Sequence, residues 1–153
     1  GRALLLDGYN VLTTVEAALG GAVLLRCVDG TLRDMASMHG TYRKVEETRP
    51  ALELVRRTLE QLRVARVVWY LDQPVSNSGR LKGIILDVAA EMGSPWEVEL
   101  VIDPDPILSG AGEVVATADS VILDRCARWF NLARRIVESH VAGANTVDLS
   151  VGQ

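Results

Sequence analysis

The chain opens on Ala3-Leu4-Leu5-Leu6-Asp7-Gly8, a run of four apolar residues that is followed at once by Asp-Gly. A short, continuous apolar run is typical of a strand buried on both faces, as in a parallel sheet. The Asp-Gly pair predicts that this strand ends in a loop. The sequence therefore places the carboxylate of Asp7 at the carboxyl end of a parallel strand.

Strand and helix patterns alternate along the rest of the chain. Further strands are predicted by apolar, β-branched or alternating runs at residues 22–25, 67–71, 96–102 and 114–117. One amphipathic helix is predicted to start at Thr48, a candidate cap, and to extend to about residue 62. A second is capped by Ser76 or Ser78 and stops at Gly93, and a third begins at Asp119.

Three segments are harder to assign. A short helix is expected over residues 32–38, and Val147 with Leu149 suggests a last edge strand. Ile122, Cys126 and Trp129 fall on one helical face, which favours a long helix. A brief strand at residues 128–132 between two helices fits the same stretch. All three tryptophans of the chain lie in apolar segments and are expected in the core.

Strands that alternate with amphipathic helices predict the α/β class, here a three-layer sandwich with a mostly parallel central sheet. A length of 153 residues suits one domain, so a single domain over residues 1–153 is expected. The first residue is Gly1 and a strand follows almost at once. We therefore expect a fragment of a longer chain that lacks an N-terminal portion.

Composition narrows the classes of function. Hydrophobic residues make up 48% and charged residues 24% of the chain, which is ordinary for a globular protein and excludes disorder. With a net charge of −4, binding of nucleic acid would need a local basic face or a metal ion. No apolar segment approaches the ~20 residues that span a bilayer, and no signal peptide is evident. Cys27 and Cys126 resemble reduced core thiols, so we expect a cytoplasmic protein without a membrane partner.

Three carboxylates, those of Asp7, Asp72 and Asp119, directly follow predicted strands. The carboxyl ends of the strands form the ligand site in open parallel sheets, so we expect these side chains to converge. Asp29 ends the second apolar run and Asp124 lies about one helical turn beyond Asp119, which makes both candidate outer members. The alternative is that each Asp is a loop residue or a helix cap, which suits Asp119 in particular.

Converging carboxylates need protons or a cation. Two of them ~4 Å apart repel by about 4 kcal/mol at an effective dielectric of 20. An all-oxygen site without His or Cys favours Mg²⁺ or Mn²⁺ over zinc. Such ions activate water and neutralise charge on a phosphodiester. We therefore expect Mg²⁺ or Mn²⁺ as the cofactor, with Asp7, Asp72 and Asp119 as catalytic residues.

Further polar residues are candidates for holding a substrate: Asn10, Arg33, His39, Arg43, Ser76, Ser78 and Ser120. Asn10 could orient a carboxylate or a water, or cap the next turn. The basic stretch from Arg33 to Arg43 could grip phosphates, although such charge also serves solubility. His39 could carry a proton near neutral pH. The serines could bring hydroxyls and a helix N-terminus to a phosphate, and helix capping explains them equally well.

These motifs resemble the PIN-like nuclease superfamily. Leu4-Leu5-Leu6-Asp7-Gly8-Tyr9-Asn10-Val11 resembles the opening strand of its NYN branch, an apolar run followed by D-G-x-N. Val115-Ala116-Thr117-Ala118-Asp119-Ser120 is similar to the later T-x-D-S step, where a PIN-like domain supplies another metal-binding Asp. Residues 29–34, 39–43 and 71–79 resemble an uncharacterised PIN-like family, in which a small helical N-terminal domain often precedes this one.

The resemblance implies a Rossmann-like fold, a metal site at these acids and an endoribonuclease that cleaves RNA. It also implies a homodimer and a helical N-terminal domain as candidate partners. PIN-like domains often add a Glu from a helix, for which Glu46 and Glu47 are the unplaced candidates. The missing Glu and the net acidity motivate an alternative, a catalytically degenerate module that binds RNA or protein. A phosphotransfer domain with Asp7 as nucleophile is disfavoured, because Tyr9 stands where D-x-D is usual.

Overall fold

The fold is that of a computed structural model, in which residues 2–34 and 46–149 are described. Helices and strands alternate over these residues. In chain order they are β1 (Ala3–Asp7), α1 (Gly8–Leu19), β2 (Leu24–Arg26), β3 (Leu32–Asp34), α2 (Thr48–Gln61), β4 (Arg66–Asp72), α3 (Ser78–Met92), β5 (Trp96–Val101), α4 (Pro104–Ser109), β6 (Val114–Ala116), α5 (Ser120–Leu123), β7 (Arg128–Phe130), α6 (Leu132–His140) and β8 (Thr146–Asp148).

The central sheet has five strands in the order β5-β4-β1-β6-β7, and every neighbouring pair is parallel. Strand β1 is central, with Leu5 opposite Val68 on one side and Val115 on the other. Because all five strands run the same way, their carboxyl ends share one edge of the sheet. The predicted α/β class with a mostly parallel sheet is confirmed.

Helices cover both faces of this sheet and give a three-layer sandwich. On one face, the large apolar cluster joins Leu6 and Trp69 of the sheet to Leu12 of α1, and it includes residues of α2, α3 and α6. On the other face, Leu5 packs with Leu108 of α4 and with Ile122 of α5. Both faces of β1 are therefore buried, which explains its continuous apolar run.

A second, smaller sheet has the order β3-β2-β8, with β2 antiparallel to β3 and parallel to β8. Strand β8 confirms the predicted last strand. The prediction of a helix over residues 32–38 is wrong for residues 32–34, the part of this range that the structure describes, since Leu32 to Asp34 form β3. Leu32 and Asp34 are buried while Arg33 between them is half-exposed, an alternation typical of a strand. Residues 35–38 lie outside the described part of the chain.

Two helices were not predicted, and one ambiguity is resolved. Helix α1 begins directly after β1, where a loop was expected, and α4 follows β5. The apolar spacing of Val11, Leu12, Val15 and Ala18 is the signal for α1. Between α5 and α6 the structure has the short strand β7 and not one long helix. Trp129 in β7 is 39% exposed, so the expectation that it is a core residue is wrong, whereas Trp69 and Trp96 are buried.

The predicted serine and threonine caps are also replaced by other contacts. Thr48 lies in the first turn of α2, and its buried hydroxyl donates to the Glu16 carboxylate of α1. Asn77, in a left-handed conformation at φ 68°, precedes α3, and the Ser78 hydroxyl donates to the Gln73 carbonyl at 2.9 Å. Gly93 ends α3 at φ 67°, as predicted.

The helices of the described residues are all too short or too polar to cross a bilayer.

Candidate functional site

Asp7 is the last residue of β1 and stands at the centre of the acidic edge of the sheet. The Thr117 hydroxyl donates to its Oδ2 at 2.8 Å. Burial raises the pKa of the Asp7 carboxyl to about 7, against the opposing effect of the Thr117 hydrogen bond. The negative charges of Asp119, Asp105 and Asp72 also contribute to this raised pKa.

Asp72 and Asp119 stand at the same edge, as predicted. Asp72 ends β4, which pairs with β1, and Asp119 follows β6 on the other side of β1. Burial and then the charge of Asp103 raise the pKa of Asp72. Asp119 caps α5, because its Oδ1 accepts from the backbone N–H of Val121 at 2.8 Å. The capping interpretation of Asp119 is therefore confirmed, and its charge acts on Asp7 as well.

Asp103 and Asp105 belong to the same edge and were not predicted from the sequence. They flank Pro104 after β5, and Asp103 caps α4 by accepting from the Asp105 N–H at 3.0 Å. Burial raises the pKa of Asp105, followed by the charges of Asp119, Asp103 and Asp72. The sequence contains the pattern that would have predicted them, since the segment Asp103-Pro104-Asp105-Pro106 directly follows the strand predicted over residues 96–102. Four adjacent strands, β5, β4, β1 and β6, therefore carry acids where they end.

The Asp7–Asp72 side of this edge depends on a close approach at Gly8, where β1 passes into α1. A Cβ added at Gly8 would lie 2.5 Å from Leu71 Cδ2 and 2.9 Å from the Tyr70 carbonyl oxygen. Only glycine permits this contact between the start of α1 and strand β4. Gly8 thus allows α1 to begin against β4, next to the two carboxylates.

Side chains from three elements, α1, β3 and β7, hold the segment Thr117-Ala118-Asp119. The Asn10 Oδ1 accepts from the Ala118 N–H at 2.7 Å, and Arg33 Nε donates to the Ala118 carbonyl at 2.9 Å. Trp129 Nε1 donates to the Thr117 carbonyl at 2.8 Å, and the Thr117 hydroxyl accepts from the Asp119 N–H at 3.0 Å. Asn10 and Arg33, predicted as substrate contacts, thus bind main chain beside Asp119.

Asp29 and Asp124 have surroundings that differ from those predicted. Asp29 lies in the turn between β2 and β3, where its carboxylate accepts from the Thr31 hydroxyl at 2.6 Å and pairs with Arg33 at 3.0 Å. Burial alone would raise the pKa of Asp29. The hydrogen bonds from Thr31 and the charge of Arg33 outweigh this effect, so the pKa is lowered. Asp124 is exposed at the far end of α5 from Asp119. The structure thus gives Asp29 a turn-stabilising role and leaves Asp124 outside the line of strand ends.

The predicted serines and the helix Glu are also located. Ser76 and Ser120 are exposed at the starts of α3 and α5, whereas Ser78 is buried and bonds Gln73. Glu47 precedes α2, with its Oε1 3.3 Å from where a Cβ at Gly20 would stand. Gly20 lies beyond the far end of α1, roughly 18 Å along the helix from the acids. Glu47 is therefore not the missing ligand. His39 and Arg43 lie outside the described residues.

Within residues 2–34 and 46–149, no three His, Cys, Asp or Glu side chains lie close enough together to hold a metal ion as they stand. The acids at the sheet edge influence one another electrostatically but are not gathered into a finished coordination site. Their oxygens are the donors that a hard divalent cation prefers.

Comparison with known proteins gives a family. A family model described as "Domain of unknown function (DUF5616)" matches residues 1–135. The chain is 35% identical over 123 residues to "Uncharacterized protein MJ0935" of Methanocaldococcus jannaschii, covering 80% of this chain and 58% of that protein. No solved structure matches. Because the family model covers most of the chain, the protein belongs to the DUF5616 family.

Proposed function

We propose that this domain is a metal-dependent endoribonuclease whose reaction centre is the acidic edge of the central sheet. The observation that carries the proposal is that β5, β4, β1 and β6 end in acids whose charges act on one another, with Asp7 at the centre. An open parallel sheet binds its ligands at this edge. A carboxyl with a pKa near 7 inside an acidic group is typical of functional sites.

The donor chemistry suits Mg²⁺ or Mn²⁺, which supply charge neutralisation and activation of water at a phosphodiester. Asp7, Asp72 and Asp105 are the candidates to hold the cation, together with Asp119. Because the described residues contain no finished three-residue site, cation uptake must draw these carboxylates closer together. The attraction of each carboxylate to the shared cation favours that step, and it offsets the repulsion among the carboxylates.

The rest of the chain would position these acids. Thr117 holds one oxygen of Asp7, and Asn10 and Arg33 fix the peptide that leads to Asp119. RNA as the substrate follows from the resemblance to NYN-type nucleases. Contacts to the RNA backbone would fall to His39, Arg43 and the exposed Ser76 and Ser120. Cys27 and Cys126 are unpaired thiols, which supports the expected cytoplasmic setting.

Calorimetric titration with Mn²⁺ tests the proposal, comparing the native chain with Asp7→Asn and Asp119→Asn. Asp87→Asn, an exposed carboxylate on α3, is the matched control. We expect Mn²⁺ binding in the native and control proteins and its loss in both site variants. The same proteins are then incubated with a fluorescently labelled single-stranded RNA and Mn²⁺. Cleavage by the native and control proteins alone would support the nuclease; an absence of Mn²⁺ binding by the native protein would refute it.

A second candidate is a catalytically degenerate module that binds RNA or protein at the same edge. The lack of a finished three-residue metal site among the described residues favours it. Mn²⁺ binding without RNA cleavage, combined with retention of the RNA by the native protein, would select this candidate over the nuclease.

A further inference from the structure

A cavity of about 550 Å³ opens at the amino edge of the central sheet, opposite the acids. It lies below the starts of β1 and β6 and beside the loop between α2 and β4, and we call it the amino-edge groove. Its lining includes the apolar residues Leu62, Val64, Val114 and Phe130, together with Arg2 and Arg63. Ala3 and Asp7 bound β1, so the groove and the acids are roughly 13 Å apart along that strand.

The apolar lining belongs to the edge of the main core. Leu62, Val64, Val114 and Phe130 are each partly buried and pack against the large apolar cluster. The groove is thus bounded by strands β1, β6 and β7 and by the loop between α2 and β4. Its volume falls within the 300–1,000 Å³ of ordinary small-molecule sites. Water in such a gap is readily replaced by an apolar group.

The two arginines give the groove a positive rim. Arg2 and Arg63 are exposed, and no carboxylate among the described residues lies within ion-pair distance of either. Arg66, three residues further on, is different, since its Nε lies 2.6 Å from Glu97. Two guanidinium groups that have no carboxylate partner in the described part of the chain, beside one apolar gap, complement a ligand with an anionic head.

The backbone at Arg63 adds a second, independent observation. Arg63 follows α2 at φ 55°, a left-handed conformation that helix ends usually give to glycine. Its N–H donates to the Glu60 carbonyl at 3.0 Å, which closes the helix. A side chain at this position strains the backbone, and such strain is often kept where a residue is needed for function. The fold requires the turn but does not require an arginine there.

We propose that the amino-edge groove binds a small amphipathic anion. A carboxylate, sulfonate or phosphate head would lie between Arg2 and Arg63, and an apolar body would fill the gap beside Val64 and Phe130. The proposal is independent of the acidic edge and of any nuclease activity. The body of the ligand could be aliphatic or aromatic, and the test separates the two.

The test is displacement of the anionic dye anilinonaphthalene sulfonate, followed by fluorescence. Decanoate and 2-naphthoate are the aliphatic and aromatic competitors, and decanol is the uncharged match to decanoate. We expect at least one of the two anions to displace the dye at a roughly tenfold lower concentration than decanol does. A single charge-assisted hydrogen bond between the anionic head and an arginine is enough for a difference of this size. Val64→Trp should fill the gap and abolish dye binding, with near-ultraviolet circular dichroism confirming that the variant is folded.

Substitutions at the rim then separate function from structure. Arg63→Gly should raise the thermal midpoint, since glycine adopts φ 55° without strain, and yet weaken binding of the anion. Arg2→Gln should weaken it as well, whereas Arg57→Gln, which removes an exposed arginine of α2, should not. Failure of both decanoate and 2-naphthoate to displace the dye better than decanol, or dye binding unchanged in Val64→Trp, would overturn the proposal.

Discussion

Asp7 has a pKa raised to about 7 because it is removed from water and faces three other acids. In the unfolded chain its pKa returns to about 3.8, so between pH 4 and 7 the folded state binds more protons than the unfolded one. The free energy of unfolding therefore falls as the pH rises through this window. Thr117 limits this loss of stability, because its hydroxyl donates a hydrogen bond to the ionised carboxylate of Asp7.

Asp7→Asn should remove the loss of stability that accompanies ionisation of Asp7. We expect the variant to match the native protein near pH 4 and to exceed its free energy of unfolding at pH 8 by up to about 4 kcal/mol, for roughly three pK units. Urea unfolding across this pH range, with divalent cations chelated, is the measurement. Asp87→Asn should follow the native pH profile. A constant difference between Asp7→Asn and the native protein at all pH values would contradict the assignment.

Elements meet at Gly8, where β1 passes into α1 beside β4. We expect Gly8→Ala to lower the free energy of unfolding by roughly 1–3 kcal/mol, because the added methyl group would overlap the Tyr70 carbonyl, a backbone atom that cannot rotate away. Gly79 of α3 is the matched control, since a Cβ there meets nothing within 4 Å. Gly79→Ala should be neutral or stabilising by up to about 1 kcal/mol. Equal effects of the two substitutions in urea unfolding would argue against the close approach.

The small sheet is joined to the acidic edge through Arg33 of β3. This side chain pairs with Asp29 and donates to the Ala118 carbonyl next to Asp119. Arg33→Met should destabilise the protein by about 1–3 kcal/mol and speed hydrogen exchange at the Asp119 amide. Arg26→Met is the control, since Arg26 of β2 pairs with Glu138 at 2.9 Å. If both variants left the exchange of Asp119 unchanged, Arg33 would not be the connecting residue.

Asp7, Asp72 and Asp119 could be predicted because each follows an apolar strand directly, and in a parallel sheet such strand ends share an edge. Asp103 and Asp105 have the same origin, and because Asp103 directly follows the strand predicted over residues 96–102, the same rule applied to this segment would have predicted them. The contacts of Asn10 and Arg33 could not be predicted from the sequence around them, since both side chains bind main chain that lies 85 residues or more away in the sequence. Strand β3 was mistaken for a helix because three residues are too few to establish a period.

At the scale of the whole molecule, the stability of the fold and the acidic edge are coupled. The sheet brings the acids together regardless of their repulsion, so the folded state is weakened when they ionise. A cation that binds only the folded state offsets this repulsion, and the stability gained grows with its concentration. Since Asp7 must lose its proton to take part, the gain should depend on pH.

We therefore expect Mg²⁺ or Mn²⁺ to raise the thermal midpoint more at pH 7.5 than at pH 5. At pH 5 Asp7 holds its proton in the folded state, and the cation must displace it before binding. At a cation concentration about one hundred times the dissociation constant, the stabilisation would be about 2.7 kcal/mol. Asp7→Asn, which is expected not to bind the cation, should show no gain at either pH, whereas Asp87→Asn should behave as the native protein does. A native gain that is equal at pH 5 and pH 7.5 would mean that the cation binds elsewhere, because only a site that includes Asp7 couples cation uptake to the loss of this proton.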